Sequence, residues 1–212
     1  MNNVIRVAPS ILSADFSILG KEVQKVEKAG AEWLHIDVMD GNFVPNITIG
    51  PCVIKSLRKQ SGLVFDVHLM IDRPILHVDT FADSGADLIT FHIEASKSPE
   101  DTIKKIRNKG KKVGVSVKPG TGIDGLKKIL DKIDMILVMS VEPGFAGQKF
   151  MESSLPKITE LRKVFAKDIQ VDGGMNDVTA KRVIKAGANI IVAGSYIFGK
   201  EDCKKAIDSL RK

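Results

Sequence analysis

Cysteine, aromatic residues and long apolar runs are all scarce in this 212-residue chain. Its two cysteines, Cys52 and Cys203, lie far apart in predicted helices. This spacing gives no basis for a disulfide framework or a cysteine-based zinc site, and it favours a reducing cytoplasm. No apolar run reaches the ~18 residues of a membrane span, and the first residues lack the apolar stretch and cleavage site of a secretory signal. We therefore expect a cytoplasmic protein without a membrane partner.

Aromatic residues make up only 5% of the chain, although the net charge is +6. Nucleic-acid binding favours basic clusters interleaved with aromatic side chains. The lysines are instead dispersed over helical stretches such as Lys104–Lys105 and Lys127–Lys128. The charge thus indicates a solvated surface that can attract an anionic small substrate, and we expect no nucleic-acid partner.

Short β-branched runs alternate with amphipathic segments along the whole chain. The predicted strands are Arg6–Ile11, Trp33–Val38, Leu63–Leu69, Leu88–His92, Lys112–Val117, Met135–Met139, Ile169–Asp172 and Ile190–Ala193. Helices are predicted between them, among them Leu19–Ala29, Ile75–Ser84 and Thr102–Lys109 (the last preceded by Ser98 and Pro99), and Gly30, Gly85, Gly110 and Gly187 stand where helices should end. Eight such units without a composition break predict one α/β domain over residues 1–212. They favour a single (β/α)8 TIM barrel over an open doubly wound sheet.

Two histidines and two aspartates stand where three of these strands end: His35, Asp37, His68 and Asp172. A barrel places its active site at the carboxyl ends of its strands, and residues two apart on a strand share a face. Two imidazoles and two carboxylates are a sufficient set for one divalent metal. Carboxylates on different strands can also face a substrate from opposite sides. The pattern therefore predicts metal-assisted proton transfer, whereas His77 and His92 are interpreted as structural, His92 with a possible supporting role.

Glycines follow each of the late strands: Gly144 and Gly147 after strand 6, Gly173 and Gly174 after strand 7, and Gly194 before Ser195 after strand 8. Barrels often hold phosphate at these loops through backbone N–H groups. We therefore predict a phosphate site there, with the loop after strand 6 as a lid.

A glycine motif after strand 5 and three methionines at strand ends are two further patterns in the sequence. Gly120-x-Gly122-x-x-Gly125 matches a dinucleotide-binding motif, but Pro119, the short helix predicted at Leu126–Asp131 and the position at strand 5 argue against a nicotinamide site. Methionines stand near the ends of three strands, at Met39, Met70 and Met139. They predict an apolar, adaptable pad that lines the barrel mouth.

Five motifs together resemble the ribulose-phosphate 3-epimerase family, in order and at family spacing over nearly the whole chain. They are Ala8-Pro9-Ser10-Ile-Leu-Ser13-Ala-Asp15-Phe16, His35-Ile-Asp37-Val-Met39-Asp40-Gly41-x-Phe43-Val-Pro45-Asn46, His68-Leu-Met70, Pro143-Gly144-Phe145-x-Gly147-Gln148 and Val171-Asp172-Gly173-Gly174. The resemblance implies a TIM barrel of the ribulose-phosphate-binding type. It implies an isomerase of the pentose phosphate pathway that interconverts D-ribulose 5-phosphate and D-xylulose 5-phosphate.

The resemblance also implies roles for individual residues. His35, Asp37, His68 and Asp172 would hold one divalent metal, with Zn²⁺ or Fe²⁺ favoured and Mn²⁺ or Co²⁺ as alternatives. Asp37 and Asp172 would be the acid/base pair that transfers protons at C3 through an enediolate stabilised by the metal. The substrate would contact Ser10, His68, Asp172, Gly144, Phe145, Ala146, Gly147, Gly173, Gly174, Gly194 and Ser195. Family members are usually oligomers, so we expect a homo-oligomer.

Two positions depart from the family pattern and keep alternatives open. Ala146 replaces a usual glycine, as in related allulose-6-phosphate 3-epimerases, and Tyr196 replaces a smaller residue. A hexulose-phosphate epimerase is therefore the nearest alternative. A lysine-dependent barrel aldolase or decarboxylase is disfavoured because the strand-end motifs offer no inward-facing lysine. A non-catalytic phosphosugar-binding barrel has no need for two opposed carboxylates.

Overall fold

The computed structural model, which describes residues 4–212, contains eight parallel strands and eight α-helices; only 3-10 turns lie between the fifth and sixth strands, and two α-helices follow the eighth. Met1–Asn3, with which the predicted domain begins, lie outside the described residues. The strands are β1 (Arg6–Pro9), β2 (Trp33–Met39), β3 (Val64–Met70), β4 (Leu88–His92), β5 (Lys112–Val117), β6 (Met135–Met139), β7 (Asp168–Asp172) and β8 (Ile190–Ala193). The helices are α1 (Leu19–Lys28), α2 (Pro51–Arg58), α3 (Val78–Asp83), α4 (Pro99–Asn108), α5 (Ser154–Val164), α6 (Asp177–Ala186), α7 (Ser195–Phe198) and α8 (Cys203–Ser209).

The strands form one sheet in the order β1-β8-β7-β6-β5-β4-β3-β2. A parallel bridge between Ser10 and His35 joins the first and last strands of this order. The sheet therefore closes on itself, with an α-helix between most consecutive strands and 3-10 turns between β5 and β6, and the predicted (β/α)8 TIM barrel is confirmed.

Predicted helix boundaries needed two corrections. The segment predicted as one helix over Ile75–Ser84 is a 3-10 turn, Pro74–Leu76, followed by α3, with the exposed His77 between them. The helix predicted at Leu126–Asp131 is instead a pair of 3-10 turns, Asp124–Leu126 and Leu130–Lys132. Asp and Gly are poor helix formers, which explains why this segment does not form the helix that a dinucleotide site needs. The four predicted helix-ending glycines all have positive φ, as at Gly187 (119°).

The barrel interior changes from apolar to polar along its axis. Its amino-terminal end is filled by buried side chains from strand starts, Trp33, Leu88, Met135 and Ile190, which form one apolar cluster with Ala8 and Val192. Above them lies a layer of buried polar side chains, His35, Asp66, Thr90 and Gln170. Outward-facing strand residues such as Ile36 and Val38 belong to the main hydrophobic core. Because side chains alternate along a strand, the same strands seal the helix layer and project polar groups inward.

The helices are short and amphipathic. Among the residues that the structure describes, none of the helices combines the length and hydrophobicity needed to cross a bilayer.

Candidate active site

The four residues predicted as metal ligands converge at the carboxyl end of the barrel. One ligand atom each from His35, Asp37, His68 and Asp172 lies within 4.8 Å of the others. Asp37 Oδ1 is 3.2 Å from His35 Nε2 and 3.0 Å from His68 Nδ1. The two imidazole nitrogens are 3.3 Å apart. The structure therefore brings together side chains that are separated by up to 137 positions along the chain.

Strand register and barrel closure produce this convergence. Asp37 on β2 is paired in register with His68 on β3, and both point into the barrel. Asp172 approaches from β7, which is separated from β2 by β8 and β1. The two carboxyl groups thus reach the same cavity from walls on nearly opposite sides of the barrel.

His35 and Asp37 are buried and in direct contact. Burial would lower the pKa of His35, but the Asp37 and Asp66 carboxylates outweigh it and hold that pKa well above its ordinary value. Burial would raise the pKa of Asp37, but His35 and His68 outweigh it and hold that pKa well below its usual range. Each of the two groups therefore favours the charged form of the other.

The pKa values of Asp172 and His68 are shifted in the opposite directions to those of Asp37 and His35. Burial, reinforced by the negative charge of Asp37, raises the pKa of Asp172 to about 7. Burial lowers the pKa of His68, against the hydrogen bond to Asp37. The two aspartates consequently differ in their affinity for a proton, which is a recurring property of acid/base pairs.

Asp66 is a functional candidate that the sequence reasoning missed. Its carboxylate is fully buried and accepts hydrogen bonds from His35 Nδ1 (2.8 Å), Thr90 Oγ1 (2.9 Å) and Gln170 Nε2 (2.8 Å). Because Nδ1 of His35 contacts Asp66, its Nε2 atom is the one that faces the metal-ligand cluster. Alternation could have found this residue, because Asp66 lies two positions before His68 and shares its inward face.

His92, which was interpreted as structural, lies directly behind His68. The Nε2 atoms of the two rings are 3.0 Å apart, and His92 Nδ1 is 3.2 Å from Glu94 Oε2. Burial lowers the pKa of His92 to about 4. Burial would raise the pKa of Glu94, but hydrogen bonds from His92, Thr121 and the Lys118 amide outweigh it and bring that pKa to about 2. The contact between His92 and His68 therefore supports the role of His92 as a residue that positions a candidate ligand.

The donor set fits a divalent cation. His35 Nε2 and His68 Nδ1 point at each other across 3.3 Å beside the Asp37 carboxylate, an arrangement that a shared cation stabilises. Each imidazole uses its other nitrogen in a hydrogen bond to a neighbouring side chain, as ligating histidines usually do. The cluster could therefore hold a metal ion, and its mixed nitrogen and oxygen donors admit several first-row metals.

Ser10 lies at the seam of the barrel and contacts the cluster. Its hydroxyl donates a 2.6 Å hydrogen bond to Asp37 Oδ2. The other carboxylate oxygen of Asp37 faces the two imidazoles. The residue predicted as a substrate contact thus also fixes the orientation of an aspartate of the cluster.

A cavity of about 430 Å³ opens above the cluster. It is large enough for a small phosphorylated sugar, since ligand pockets begin at about 300 Å³. Its wall includes every residue predicted to contact phosphate: Gly144, Phe145, Ala146, Gly147, Gly173, Gly174, Gly194 and Ser195. Tyr196 and Lys200 line the same wall, while Asp37 and Asp172 lie at the floor.

The loops around this cavity are held by specific hydrogen bonds. Asn46, in the loop after β2, donates to the Gly144 carbonyl in the loop after β6 (2.9 Å). The Ser140 hydroxyl is 2.8 Å from the Asp172 carbonyl and 2.7 Å from the Gly173 carbonyl. Ser140, also missed from the sequence, therefore shapes the turn that carries Asp172.

The predicted methionine pad is divided between two small apolar clusters. Met39 and Met70 pack with Val44, whereas Met139 packs with Leu137 and Val141. All three methionines nevertheless line the cavity. They give its lower wall an apolar surface beside the carboxylates.

Fold and site together define a (β/α)8 barrel with an imidazole–carboxylate cluster beneath a glycine-rich cavity. The model of the ribulose-phosphate 3 epimerase family matches residues 6–198. The ribulose-phosphate 3-epimerase of Bacillus subtilis (strain 168) is 50% identical over 214 residues, which cover 98% of this chain and 99% of that protein. The chloroplastic ribulose-5-phosphate-3-epimerase of Arabidopsis thaliana is 47% identical, with 98% and 76% covered. The chain belongs to the ribulose-phosphate 3-epimerase family and is therefore an enzyme with epimerase activity.

Solved structures add support for the fold alone. KGPDC from Streptococcus mutans aligns with a TM-score of 0.77 at 17% identity, covering 97% of this chain and 95% of that one. A mutant tryptophan synthase alpha-subunit from Pyrococcus furiosus aligns with a TM-score of 0.74 at 15% identity, covering 98% and 97%. The barrel is thus shared by proteins whose names indicate different functions.

Proposed function

We propose that this protein interconverts D-ribulose 5-phosphate and D-xylulose 5-phosphate, using Asp37 and Asp172 as two bases and a divalent metal at the His35, Asp37, His68 and Asp172 cluster. One observation carries the proposal. Two aspartates from strands β2 and β7 present carboxyl groups to one cavity from nearly opposite walls.

Inversion at C3 requires a proton to leave one face of the carbon and another to arrive on the opposite face. A single acid/base group cannot do both without moving, whereas two flanking carboxyl groups can alternate as general base and general acid. Asp37 is oriented by Ser10 and the two histidines. Asp172 is placed by the turn that Ser140 holds.

The proton that leaves is α to the C2 ketone, so negative charge develops on the ketone oxygen. When bound, a divalent cation would supply Lewis-acid stabilisation of that charge. His35 and His68 would contribute imidazole nitrogens and the two aspartates carboxylate oxygens, a set that favours Zn²⁺ or Fe²⁺, with Mn²⁺ or Co²⁺ as alternatives. The apolar wall of Met39, Met70 and Met139 would exclude water from the reacting carbon.

The phosphate end of the substrate would lie against the loops Gly144–Gly147, Gly173–Gly174 and Gly194–Ser195. Backbone N–H groups of these loops would hold the phosphate, and its binding would orient C3 between the two carboxyl groups. Ser10, which borders the cluster, and His68, which belongs to it, would contact the sugar. The substrate is thus fixed at both ends of one cavity.

An epimerase for allulose 6-phosphate is the second candidate because Ala146 and Tyr196 both line the cavity. Turnover of the two sugar phosphates in competition separates the candidates. Equal or better turnover of allulose 6-phosphate would reject the pentose assignment. We also propose a homo-oligomer, for which light scattering after size exclusion is the direct measurement.

Proton exchange at C3 tests the mechanism. In D₂O, deuterium should enter C3 of xylulose 5-phosphate, as seen by NMR, and this incorporation should stop on chelation and return with added metal. Asp37→Asn and Asp172→Asn should each lower turnover by orders of magnitude. Asp134→Asn is the matched control, because Asp134 accepts a hydrogen bond from the Val113 amide far from the cluster (2.8 Å). Wild-type turnover in either cluster variant would reject the two-base mechanism.

A further inference from the structure

A buried chain of hydrogen bonds leads from the cluster to the surface and takes no part in the proposed proton transfer. His68 Nε2 contacts His92 Nε2 (3.0 Å), and His92 Nδ1 contacts Glu94 Oε2 (3.2 Å). Both histidines are fully buried, whereas the Glu94 side chain is 21% exposed. The chain thus begins at a candidate ligand and ends on a carboxylate near solvent.

The carboxylate determines the direction of these hydrogen bonds. An ionised Glu94 can only accept, so His92 Nδ1 must carry the hydrogen. The neutral His92 ring then has its lone pair on Nε2, and it can only accept from His68 Nε2–H. In neutral His68 the lone pair is left on Nδ1, the atom 3.0 Å from Asp37 Oδ1 inside the cluster. The reverse order, in which His68 Nδ1–H donates to Asp37, would place the lone pair of His92 Nδ1 against the Glu94 carboxylate; a cation shared by His68 Nδ1 and Asp37 favours the first order.

Both outer members of the chain are held in place. The second oxygen of Glu94 accepts the Lys118 amide (2.8 Å), and Lys157 Nζ binds the carbonyls of Lys118 and Pro119 (2.7 and 2.8 Å). The ring of Phe43 lies 4.7 Å from that of His92, centroid to centroid. Neither the carboxylate nor the ring can turn away without losing these contacts.

We propose that Glu94 and His92 are positioning residues that fix the Nε2–H tautomer of His68 and so direct its Nδ1 lone pair at the bound cation. This inference rests on the metal site of the proposed function. It gives each imidazole ligand its own support: Asp66 for His35, and the His92–Glu94 pair for His68.

Glu94→Gln is the informative substitution because it keeps the size of the side chain and its contact with the Lys118 amide. It removes the carboxylate that sets the direction of the hydrogen bonds along the chain. The Gln oxygen can still accept the Lys118 amide while its NH₂ group donates to His92 Nδ1. The reversed order then becomes fully satisfied, and His68 presents Nδ1–H to the cluster. Loss of such support typically lowers metal affinity about 10–100-fold. His92→Phe is the second variant, since it keeps a buried ring but removes both nitrogens.

Zn²⁺ affinity, measured by competition with a chelator, is the first readout, and ¹⁵N NMR of His68 in the zinc-loaded protein is the second. We expect Glu94→Gln and His92→Phe to bind Zn²⁺ about 10–100-fold more weakly and the NMR signals of His68 to change. The matched control is Glu32→Gln, because Glu32 also accepts a hydrogen bond from a backbone amide, that of Val7 (3.0 Å), at the other end of β2. It should bind Zn²⁺ like the wild-type protein.

The outcomes separate the two proposals. Wild-type affinity and an unchanged His68 tautomer in Glu94→Gln, with Zn²⁺ bound to both proteins, would overturn the positioning role alone. No Zn²⁺ binding by the folded wild-type protein would overturn the metal site and the positioning role with it. An equal loss of affinity in the Glu32→Gln control would also overturn the inference, because it would show a general effect of removing a carboxylate.

Discussion

Replacing Asp66 by asparagine should weaken metal binding while leaving the barrel folded. The carboxylate is buried beneath the cluster and accepts three hydrogen bonds, from His35, Thr90 and Gln170. His35 and Gln170 share one oxygen, Oδ2, whereas Thr90 uses Oδ1. An asparagine oxygen in the place of Oδ2 can keep the first two bonds, and its NH₂ group can donate to the Thr90 hydroxyl.

Asparagine is a better test than alanine at position 66, because the alanine variant would mainly report on folding. A buried donor without a partner costs about 1–3 kcal/mol, so Asp66→Ala would lose about 3–9 kcal/mol from three such donors. That loss is comparable to the whole stability of a domain, about 5–15 kcal/mol, and would report on folding. Asp66→Asn keeps the His35 and Gln170 donors paired and removes only the acceptor of the Thr90 hydroxyl, so we expect a stability change of about 1–2 kcal/mol.

The functional effect comes from the lost charge. Without the carboxylate, the pKa of His35 should fall and its Nε2 should become a weaker donor to a cation. Removing such support costs about 10–100-fold in metal affinity, or about 1.4–2.7 kcal/mol. Chelator competition with Zn²⁺ measures the affinity, denaturant unfolding measures the stability, and Asp134→Asn again serves as control. Wild-type Zn²⁺ affinity in a folded Asp66→Asn protein would refute this account of how His35 is supported.

Three further results are expected. Metal affinity should rise with pH near neutrality by about tenfold per pH unit for each proton released, because in the metal-free protein the pKa of Asp172 is raised to about 7 and that of His35 lies well above 6.5. Calorimetry in buffers of different ionisation heat counts the released protons. Binding that does not depend on pH would contradict this prediction. Lys200→Ala, which removes the one basic side chain among the described cavity-lining residues, should raise KM about two- to fivefold with kcat unchanged, and an unaltered KM would argue against its contact with phosphate. Gly174→Ala should destabilise the protein by about 1–3 kcal/mol in thermal unfolding, because φ is 64° and the added Cβ would lie 2.7 Å from Phe150 Cα; a wild-type melting temperature would show that the loop relaxes.

Strands and their inward faces could be predicted well from this sequence because buried β-branched runs have few alternative structures. The bounds of β4, β5, β6 and β8 agree with the prediction, β2 extends one residue further to Met39, β3 is shifted by one residue to Val64–Met70, and β7 begins one residue earlier at Asp168. The strand predicted over Arg6–Ile11 was too long, because β1 ends at Pro9 and Ile11–Ser13 form a 3-10 turn. The four predicted ligands could be grouped because barrel strands end at one face. Their roles as metal ligands and bases remain predictions.

Contacts within the barrel could not be predicted because they depend on register. His35 is paired with Asp66, and Asp37 with His68, only because β2 and β3 align in one register. A slip of one residue would turn each side chain to the other face. The positions of strand ends therefore predict His68 but not Asp66. They do not show that His92 and Glu94 continue the line of hydrogen bonds. The same limit applies to the methionines, whose division into two clusters depends on which strands are neighbours.

The bridge between Ser10 and His35 closes the barrel, and the same serine donates to Asp37. Closure of the barrel and the orientation of Asp37 therefore depend on the same residue, Ser10. A chain whose seam has opened would keep most of its helices and strands while losing the geometry of the cluster. The catalytic rate would then report whether the barrel is closed. In a denaturant series it would decline at lower denaturant concentrations than the circular dichroism signal.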